Sequence, residues 1–238
     1  MLLDELGESG DPGDWLGPAV KLQRDFYDRP TLDVARDLIG KVLVHNRRGV
    51  RTSGVIVEVE AYIGESDPAC HAAPGPTRRN APLYGSPGHA YVYLNYGIHC
   101  LVNIVTEAQG SPAAVLIRAL DPREGTGVMR RRRARPAVGR PVRADRLLPD
   151  HELCRGPGNL TVAMGITLKE NGCDLLGDRL FVEDGSGRAH QLIWGRRIGI
   201  AVGKEHPWRA YSAGSLAVSG TRHSLARPQD SGVGLKKG

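Results

Sequence analysis

Short strand-like segments follow one another along most of this chain, and few of the stretches between them are long enough for a helix. Eight segments have the apolar runs or the β-branched and aromatic composition that favour strands. They cover residues 41–45, 55–62, 91–95, 100–106, 113–120, 179–183, 198–202 and 215–219. Many short strands with few helices between them predict an α+β fold, a single mixed domain on a mostly antiparallel β-sheet.

Two helices are expected beside this sheet. The first is predicted to begin with Thr31 as its N-cap and to stop at Gly40, and its apolar residues share one face. The second covers residues 160–166 and has Asn159 as its predicted N-cap. Both starts are predicted because short polar side chains accept hydrogen bonds from the free amides of a first helical turn.

The formal net charge of +6 is distributed unevenly along the chain. Residues 1–20 contain five acidic and no basic side chains, whereas residues 221–238 contain four basic side chains and one acidic side chain. Residues 21–220 therefore carry +8. This charge suits a polyanion such as nucleic acid, and it is also compatible with solubility alone. The composition predicts one domain at 21–220 between a flexible acidic tail at 1–20 and a flexible basic tail at 221–238.

Other classes of protein find little support in the sequence. No apolar run approaches the roughly 18 residues of a membrane helix, and the N-terminus lacks the basic and apolar regions of a secretory signal, so a cytoplasmic, nucleoid-associated location is expected. The four cysteines form no C-x-x-C pair, and no phosphate-binding glycine motif is present. Cysteine and histidine adjoin at 70–71 and at 99–100 without the usual spacing of zinc ligands. Neither a metal nor a cofactor is predicted.

Four consecutive arginines at 130–133 have two open interpretations. One is a solvated helix face or a mobile loop, which is what a charge run usually forms. The other is a strip that follows DNA phosphates without reading bases, because such contacts need only charge and reach.

A carboxylate, a histidine and most of the tyrosines are concentrated in one part of the chain. Five of the seven tyrosines fall between positions 62 and 96. The polar residues among them or shortly after them are Glu60, His71, Asn103 and Arg118. Residues two apart on a strand face the same side, so Glu60 and Tyr62 are predicted to line one pocket; Glu58 shares that parity. A carboxylate among rings suits general-base activation of water or the balancing of charge on a sugar during glycosidic cleavage.

The segment Y-V-Y-L-N-Y-G at 91–97 predicts a β-hairpin with Tyr96 and Gly97 in its turn. Tyr96 would project from the tip, where a ring on a basic protein is suited to entering a base stack. Tyr91 and Tyr93 share strand parity, and each taken alone is also typical of an ordinary half-buried strand tyrosine.

The segment 57–122 strongly resembles the 3-methyladenine (alkyladenine) DNA glycosylase family. E-A-Y at 60–62, the histidine eleven residues after that glutamate, Y-V-Y-x-x-Y-G at 91–97 and L-I-R-A-L at 116–120 occur together in the family's order. The resemblance extends over most of residues 22–220. It implies one domain on a curved antiparallel sheet with a DNA-intercalating β-hairpin. The helix-hairpin-helix glycosylases, by contrast, have a glycine-rich hairpin and a distal aspartate that are not found here.

The resemblance also implies a role for each residue of the cluster. Glu60 corresponds to the general base that deprotonates a water, and Arg118 to the residue that holds this water and the nearby phosphate. Tyr96 corresponds to the intercalating wedge. The base-pocket positions are Tyr62, His71 and Tyr93, which enclose the flipped base, Asn103, which disfavours the 2-amino group of guanine, and Ile198, whose backbone helps to place the water.

The function implied is that of a monofunctional DNA glycosylase of base excision repair. It would act as a monomer on double-stranded DNA that contains damaged purines (alkylated, and also deaminated or etheno purines), and it would leave an abasic site. Electron-rich rings favour cationic bases such as 7-methylguanine through cation–π attraction. The alternatives are a catalytically silent damaged-DNA-binding module on the same fold, and a glycoside hydrolase, which would need a second carboxyl group and would not explain the basic domain or the wedge.

Overall fold

A computed structural model of the chain describes residues 20–134, 148–185 and 191–220. The predicted basic tail at 221–238, and all but the last residue of the predicted acidic tail at 1–20, lie outside the described residues. The described residues form a mixed α+β fold around one curled, antiparallel sheet, as the sequence predicts.

The strands of the described part of the chain form a single eight-stranded sheet. They are β1 (Val42–Arg47), β2 (Val50–Ile63), β3 (Ala90–Asn95), β4 (His99–Val105), β5 (Ala113–Glu124), β6 (Leu180–Glu183), β7 (Leu192–Gly195) and β8 (Arg209–Ser212). Their order is β3-β4-β5-β2-β1-β6, with β8 paired to β2 and β7 paired to β8. The long strand β2 therefore touches three neighbours, and the residues of its central part meet side chains from distant parts of the chain.

Short helices pack against this sheet. They are α1 (Arg24–Tyr27), α2 (Thr31–Leu38), α3 (Thr126–Arg133), α4 (Asp150–Leu153) and α5 (Pro157–Met164), with 3-10 turns at Ala81–Tyr84 and Leu168–Glu170. The apolar faces of α2 and α5 join the inner residues of the sheet in the main core. No helix within the described ranges is long and apolar enough to cross a membrane.

Six of the eight predicted strands are present, with ends that differ from the prediction by up to five residues, and two are wrong. Residues 198–202 and 215–219 are irregular, whereas β7 and β8 were not predicted. The backbone amides of Ile198 and Ser219 donate to the carboxylates of Glu60 and Glu58, respectively, instead of to a neighbouring strand. A pattern of apolar residues reports burial, and it does not reveal that a side chain takes the place of a strand partner.

The two predicted helix starts are also displaced. Thr31 is the first residue of α2, and its hydroxyl lies 2.9 Å from that of Thr106 instead of capping the helix; Pro30 occupies the N-cap position. Asn159 is the third residue of α5, which begins at Pro157. Proline is favoured at a first helical position because it has no amide hydrogen to satisfy there.

The four arginines at 130–133 form the last turn of α3. Arg130 forms an ion pair with Asp150 of α4, and Arg132 donates to the Ala163 carbonyl of α5 at 2.9 Å. Cationic side chains near a helix C-terminus also interact favourably with the helix dipole. At least two of the four side chains thus tie three helices together.

Two register shifts in the β2–β5 pairing flank Glu58. The pairing passes from Glu58 opposite Ala119 to Val59 opposite Ile117, so Arg118 has no direct partner. Before the shifts Ile56 packs in the main core, and after them Val59 and Ala61 do. Bulges bend a strand and re-aim its side chains. Here they bring Arg118 between two glutamates of β2.

Candidate active site

A cavity of ≈ 340 Å³ lies between the outer face of the sheet, the 3-10 turn at Ala81–Tyr84 and the loop that follows β7. Six residues predicted for the site line it: Tyr62, His71, Tyr93, Asn103, Arg118 and Ile198. The predicted wedge Tyr96 stands at its edge, and Pro157 of α5 contributes a further part of the wall. The cavity has the size and mixed lining of a small-molecule site.

Glu60 lies behind the cavity wall and is completely buried. Its Oε2 accepts a hydrogen bond from the Tyr62 hydroxyl at 2.8 Å and lies 3.1 Å from Nη1 of Arg118. Its Oε1 accepts from the Ile198 amide at 2.6 Å. Two carboxylate oxygens offer about four acceptor positions. Glu60 can therefore accept one more hydrogen bond, such as one from a water.

Each of the three guanidinium nitrogens of Arg118 has a partner, either on β2 or in the segment after β8. Besides Glu60, its Nε donates to Oε1 of Glu58 at 2.9 Å and its Nη2 donates to the hydroxyl of Ser219 at 3.2 Å. Only 6% of the residue is exposed. A planar guanidinium with several fixed partners has little freedom to rotate.

Tyr62 connects the cavity to Glu60. Burial raises the pKa of its phenol far above the usual value, and the charge and hydrogen bond of Glu60 raise it further. The phenol therefore remains protonated and serves as a donor to the carboxylate. The guanidinium carbon of Arg197 lies 4.8 Å from the centroid of the same ring, which is within the range of a cation–π interaction.

His71, Tyr91 and Tyr93 form the aromatic side of the cavity. The rings of His71 and Tyr93 meet edge to face with centroids 4.4 Å apart, and Nδ1 of His71 lies 2.9 Å from the Tyr91 hydroxyl. Burial lowers the pKa of His71, and the charge of Arg79 lowers it further. The imidazole is thus neutral near pH 7 and does not repel a cationic guest.

Asn103 lines this site from β4, opposite Tyr91 of β3 and beside Leu116 of β5. Its Nδ2 donates to the Tyr91 carbonyl at 3.0 Å, and only 5% of the residue is exposed. The amide is therefore held in one orientation by the backbone of the neighbouring strand.

Tyr96 lies in the turn between β3 and β4 and is 87% exposed. It has a left-handed backbone, with φ of 48°, and Gly97 follows with φ of 69°. Three residues separate the paired ends of β3 and β4, and the Ile98 amide closes the turn by donating to the Asn95 carbonyl at 3.0 Å. A tyrosine with positive φ is strained at a cost of about 1 kcal/mol or more. The turn presents a large ring to solvent although a glycine or asparagine would be easier to accommodate.

Arg197 and Asp67 form a buried ion pair that the sequence did not reveal. The two side chains meet through two hydrogen bonds of 2.5 and 2.8 Å, and Arg197 also donates to the carbonyls of Ala61 and Gly203. Burial alone would raise the pKa of Asp67, but the hydrogen bonds from Arg197 and from the Ala69 amide outweigh it and lower the pKa. The pair anchors the loop that carries Ile198.

Glu58, Arg209 and Ser219 were also missed as a group. Glu58 was noted for its strand parity, but Arg209 and Ser219 are more than 150 residues away from it in sequence. Within the described ranges, no group of three or more histidine, cysteine or acidic side chains is arranged to hold a metal ion.

The family model described as methylpurine-DNA glycosylase matches residues 25–216, most of the chain and all the site residues named above except Ser219. The chain belongs to the methylpurine-DNA glycosylase family. It is an enzyme of this family, a hydrolase that acts on N-glycosyl bonds, and the family places it in base excision repair of DNA.

Relatives from distant organisms agree with this assignment. A protein of Methanocella arvoryzae, provisionally named 3-methyladenine DNA glycosylase, is 48% identical over 202 residues, which cover 83% of this chain and 95% of the relative. A protein of Chlorobium phaeobacteroides with the same provisional name is 47% identical over 208 residues, covering 87% and 98%. One from Rubrobacter xylanophilus is 45% identical over 202 residues, covering 84% and 95%. The similarity thus covers nearly the whole length of each relative.

Proposed function

We propose that this methylpurine-DNA glycosylase releases alkylated purines from duplex DNA, with Glu60 as the general base and residues 21–220 as the glycosylase domain. The observation that carries the proposal is the buried carboxylate of Glu60 directly behind an aromatic cavity, in contact with Tyr62, Arg118 and Ile198 of the cavity wall. A water held there would lose a proton to Glu60 while its oxygen attacks the anomeric carbon of the damaged nucleotide. The N-glycosidic electron pair leaves with the purine, and an abasic site remains.

Base recognition would depend on the aromatic side of the cavity. A flipped purine between Tyr62, His71 and Tyr93 would stack on electron-rich rings, and a cationic purine gains a further cation–π attraction of up to about 2 kcal/mol when desolvated. Neutral His71 adds no repulsion. A base that already carries a positive charge is also a good leaving group, so alkylated purines need no strong general acid.

The remaining site residues would assist the water and the specificity. Arg118 holds Glu60 and lies in the cavity wall, where its charge can also meet a phosphate. The backbone of Ile198 holds the other oxygen of Glu60. The fixed amide of Asn103 would disfavour the 2-amino group of normal guanine.

The direct test is base release from duplexes that contain a single 7-methylguanine or 3-methyladenine, in the presence of EDTA. Free base and abasic sites are expected in equal amounts, with no strand cleavage before alkali treatment and no release from an unmodified duplex. A hypoxanthine duplex extends the test to deaminated purines. Binding of the damaged duplexes without release from any of them would overturn the proposal and would leave a damage-binding module.

Tyr96→Ala is expected to reduce base release and damaged-duplex affinity, because its ring would no longer fill the space left by the flipped nucleotide. Stacking of one base on an aromatic ring contributes roughly 1–3 kcal/mol, which corresponds to about 5- to 150-fold. Single-turnover release and binding to a duplex with an abasic analogue measure the two effects. Tyr96→Phe keeps the ring and is the matched control, and equal activity of both variants would exclude intercalation by this residue.

A further inference from the structure

Glu58 is a second completely buried carboxylate close to Glu60, and it does not line the cavity. Its Oε1 accepts from Nε of Arg118 at 2.9 Å and from Nε of Arg209 at 2.7 Å. Ser219 donates to it twice, through its amide at 2.6 Å and through its hydroxyl at 2.9 Å. Three of these donors converge on Oε1 and one reaches Oε2, so the carboxylate is held in place by groups that lie outside the cavity lining or point away from it.

These bonds fix the orientation of Arg118. The guanidinium divides its three nitrogens among Glu58, Glu60 and Ser219. Without Glu58, Nε would be a buried donor without its acceptor, and the plane of the guanidinium could rotate away from Glu60. The geometry of the arginine at the candidate base thus depends on a glutamate that never meets the substrate.

Glu58 also balances the charges around Glu60. Two buried carboxylates, Glu58 and Glu60, are matched by two arginines, Arg118 and Arg209, of which 6% each is exposed. A neighbouring positive charge lowers the pKa of a carboxyl group, and a neighbouring negative charge raises it. Glu58 and Glu60 both contact Arg118, so they share its positive charge.

Other charged or titratable groups also face Glu60, but they do not change the net charge around it. Tyr62 and Tyr93 are kept protonated, because burial raises the pKa of each phenol, that of Tyr93 to about 12. Arg197 is neutralised by its own partner, Asp67. The removal of the Glu58 charge therefore leaves an excess of one positive charge near Glu60, and the removal of the Arg209 charge leaves an excess of one negative charge.

We propose that Glu58 is a positioning residue for the hydrolysis, which orients Arg118 toward Glu60 and shares the positive charge of that arginine with Glu60. Arg209 and Ser219 complete the arrangement: Arg209 supplies the second positive charge, and Ser219 holds Glu58 and Arg118 together. This inference rests on the proposed role of Glu60 as general base.

The test compares Glu58→Gln, Arg209→Met and Ser219→Ala in single-turnover release of 7-methylguanine as a function of pH, together with duplex binding. Glu58→Gln is expected to lower the maximal rate by about 10- to 100-fold, the range for one lost charged hydrogen bond, at unchanged duplex affinity. The acid limb of its pH–rate profile should move to lower pH, because the excess positive charge left beside the candidate base favours a negatively charged neighbour. Arg209→Met should move the limb to higher pH, and Ser219→Ala should slow release without moving it.

A matched control is available in Glu170, another completely buried glutamate with an arginine partner, Arg179, and hydrogen bonds to Thr167, outside the cavity lining. Glu170→Gln is expected to lower stability while the folded enzyme keeps the wild-type rate and acid limb. Limb shifts in opposite directions for Glu58→Gln and Arg209→Met cannot come from loosened packing alone. If Glu58→Gln does not fold, the direction of the Arg209→Met shift and the rate of Ser219→Ala decide the question.

The inference would be overturned if Glu58→Gln had the rate and the acid limb of the wild type. It would also be overturned if the acid limbs of Glu58→Gln and Arg209→Met moved in the same direction. Failure of the proposed function has a different signature. If Glu60→Gln releases base at the wild-type rate, the general-base assignment fails whatever Glu58 does. If Glu60→Gln is inactive and the Glu58, Arg209 and Ser219 variants behave as wild type, only the positioning role fails.

Discussion

Glu60→Gln is expected to reduce the rate of base release by about 10²- to 10⁴-fold, the usual contribution of a general base. The amide keeps the shape of the side chain, and its single oxygen can accept a hydrogen bond from Tyr62 or from Ile198, which bond to different oxygens of Glu60, but it cannot take a proton from water. Its NH₂ group would face a donor, so some loss of stability accompanies the substitution. The measurement is single-turnover release of 7-methylguanine, with duplex affinity determined in parallel.

Glu65→Gln is the control for this substitution. Glu65 accepts a hydrogen bond from the hydroxyl of Tyr84 at 2.8 Å, the distance at which Glu60 accepts from Tyr62, and it is not part of the cavity lining. Its substitution is expected to leave release unchanged. Loss of duplex binding in Glu60→Gln would indicate a damaged site, and wild-type release by this variant would assign the base to another residue.

Asp67→Asn is expected to destabilise the protein by about 3–5 kcal/mol, because it leaves the charge of Arg197 buried without a counter-ion. Asp67 is 1% exposed and Arg197 is 5% exposed, so water does not replace the lost partner. The free energy of unfolding is measured by denaturant titration at pH 7. Since the pKa of Asp67 is lowered in the folded state, its contribution is present above the unfolded pKa and is lost as the pH falls through the folded pKa.

The exposed pair of Lys41 and Asp184 provides the comparison, because 58% of the Asp184 side chain is accessible to solvent. Asp184→Asn is expected to leave the free energy of unfolding unchanged within error, as surface ion pairs contribute little. Equal stability of Asp67→Asn and wild type would show that the buried pair does not anchor the loop. A variant that is destabilised but still folded should also release base more slowly, since the loop positions Ile198 against Glu60.

The hairpin illustrates what a local pattern can predict. Alternating residues and a glycine in the turn predicted β3, β4 and the place of Tyr96 at the tip, and the structure has this hairpin. Its two strands are adjacent in sequence, so a short turn determines their pairing and register. That Tyr96 enters a base stack is a prediction, which the Tyr96→Ala and Tyr96→Phe variants test.

The segments that close the site illustrate where local patterns fail. The stretches 198–202 and 215–219 contain the apolar residues of strands, but their amides bond to Glu60 and Glu58 across 138 and 161 positions of sequence. Apolar periodicity contains no information on such a partner. The same holds for Asp67 and Arg197, which lie 130 positions apart and show no motif of their own.

By itself the sequence determined the α+β class, the antiparallel sheet and the membership of a family of DNA glycosylases, because these depend on local composition and on motifs in a fixed order. It also indicated which side chains belong to one cluster. Only the tertiary structure decided that two register shifts turn Arg118 between Glu58 and Glu60, and that Arg209, Ser219 and Arg197 support the site from distant segments. The physical reason is that register and long-range pairing follow from the packing of the whole sheet, which no single segment specifies.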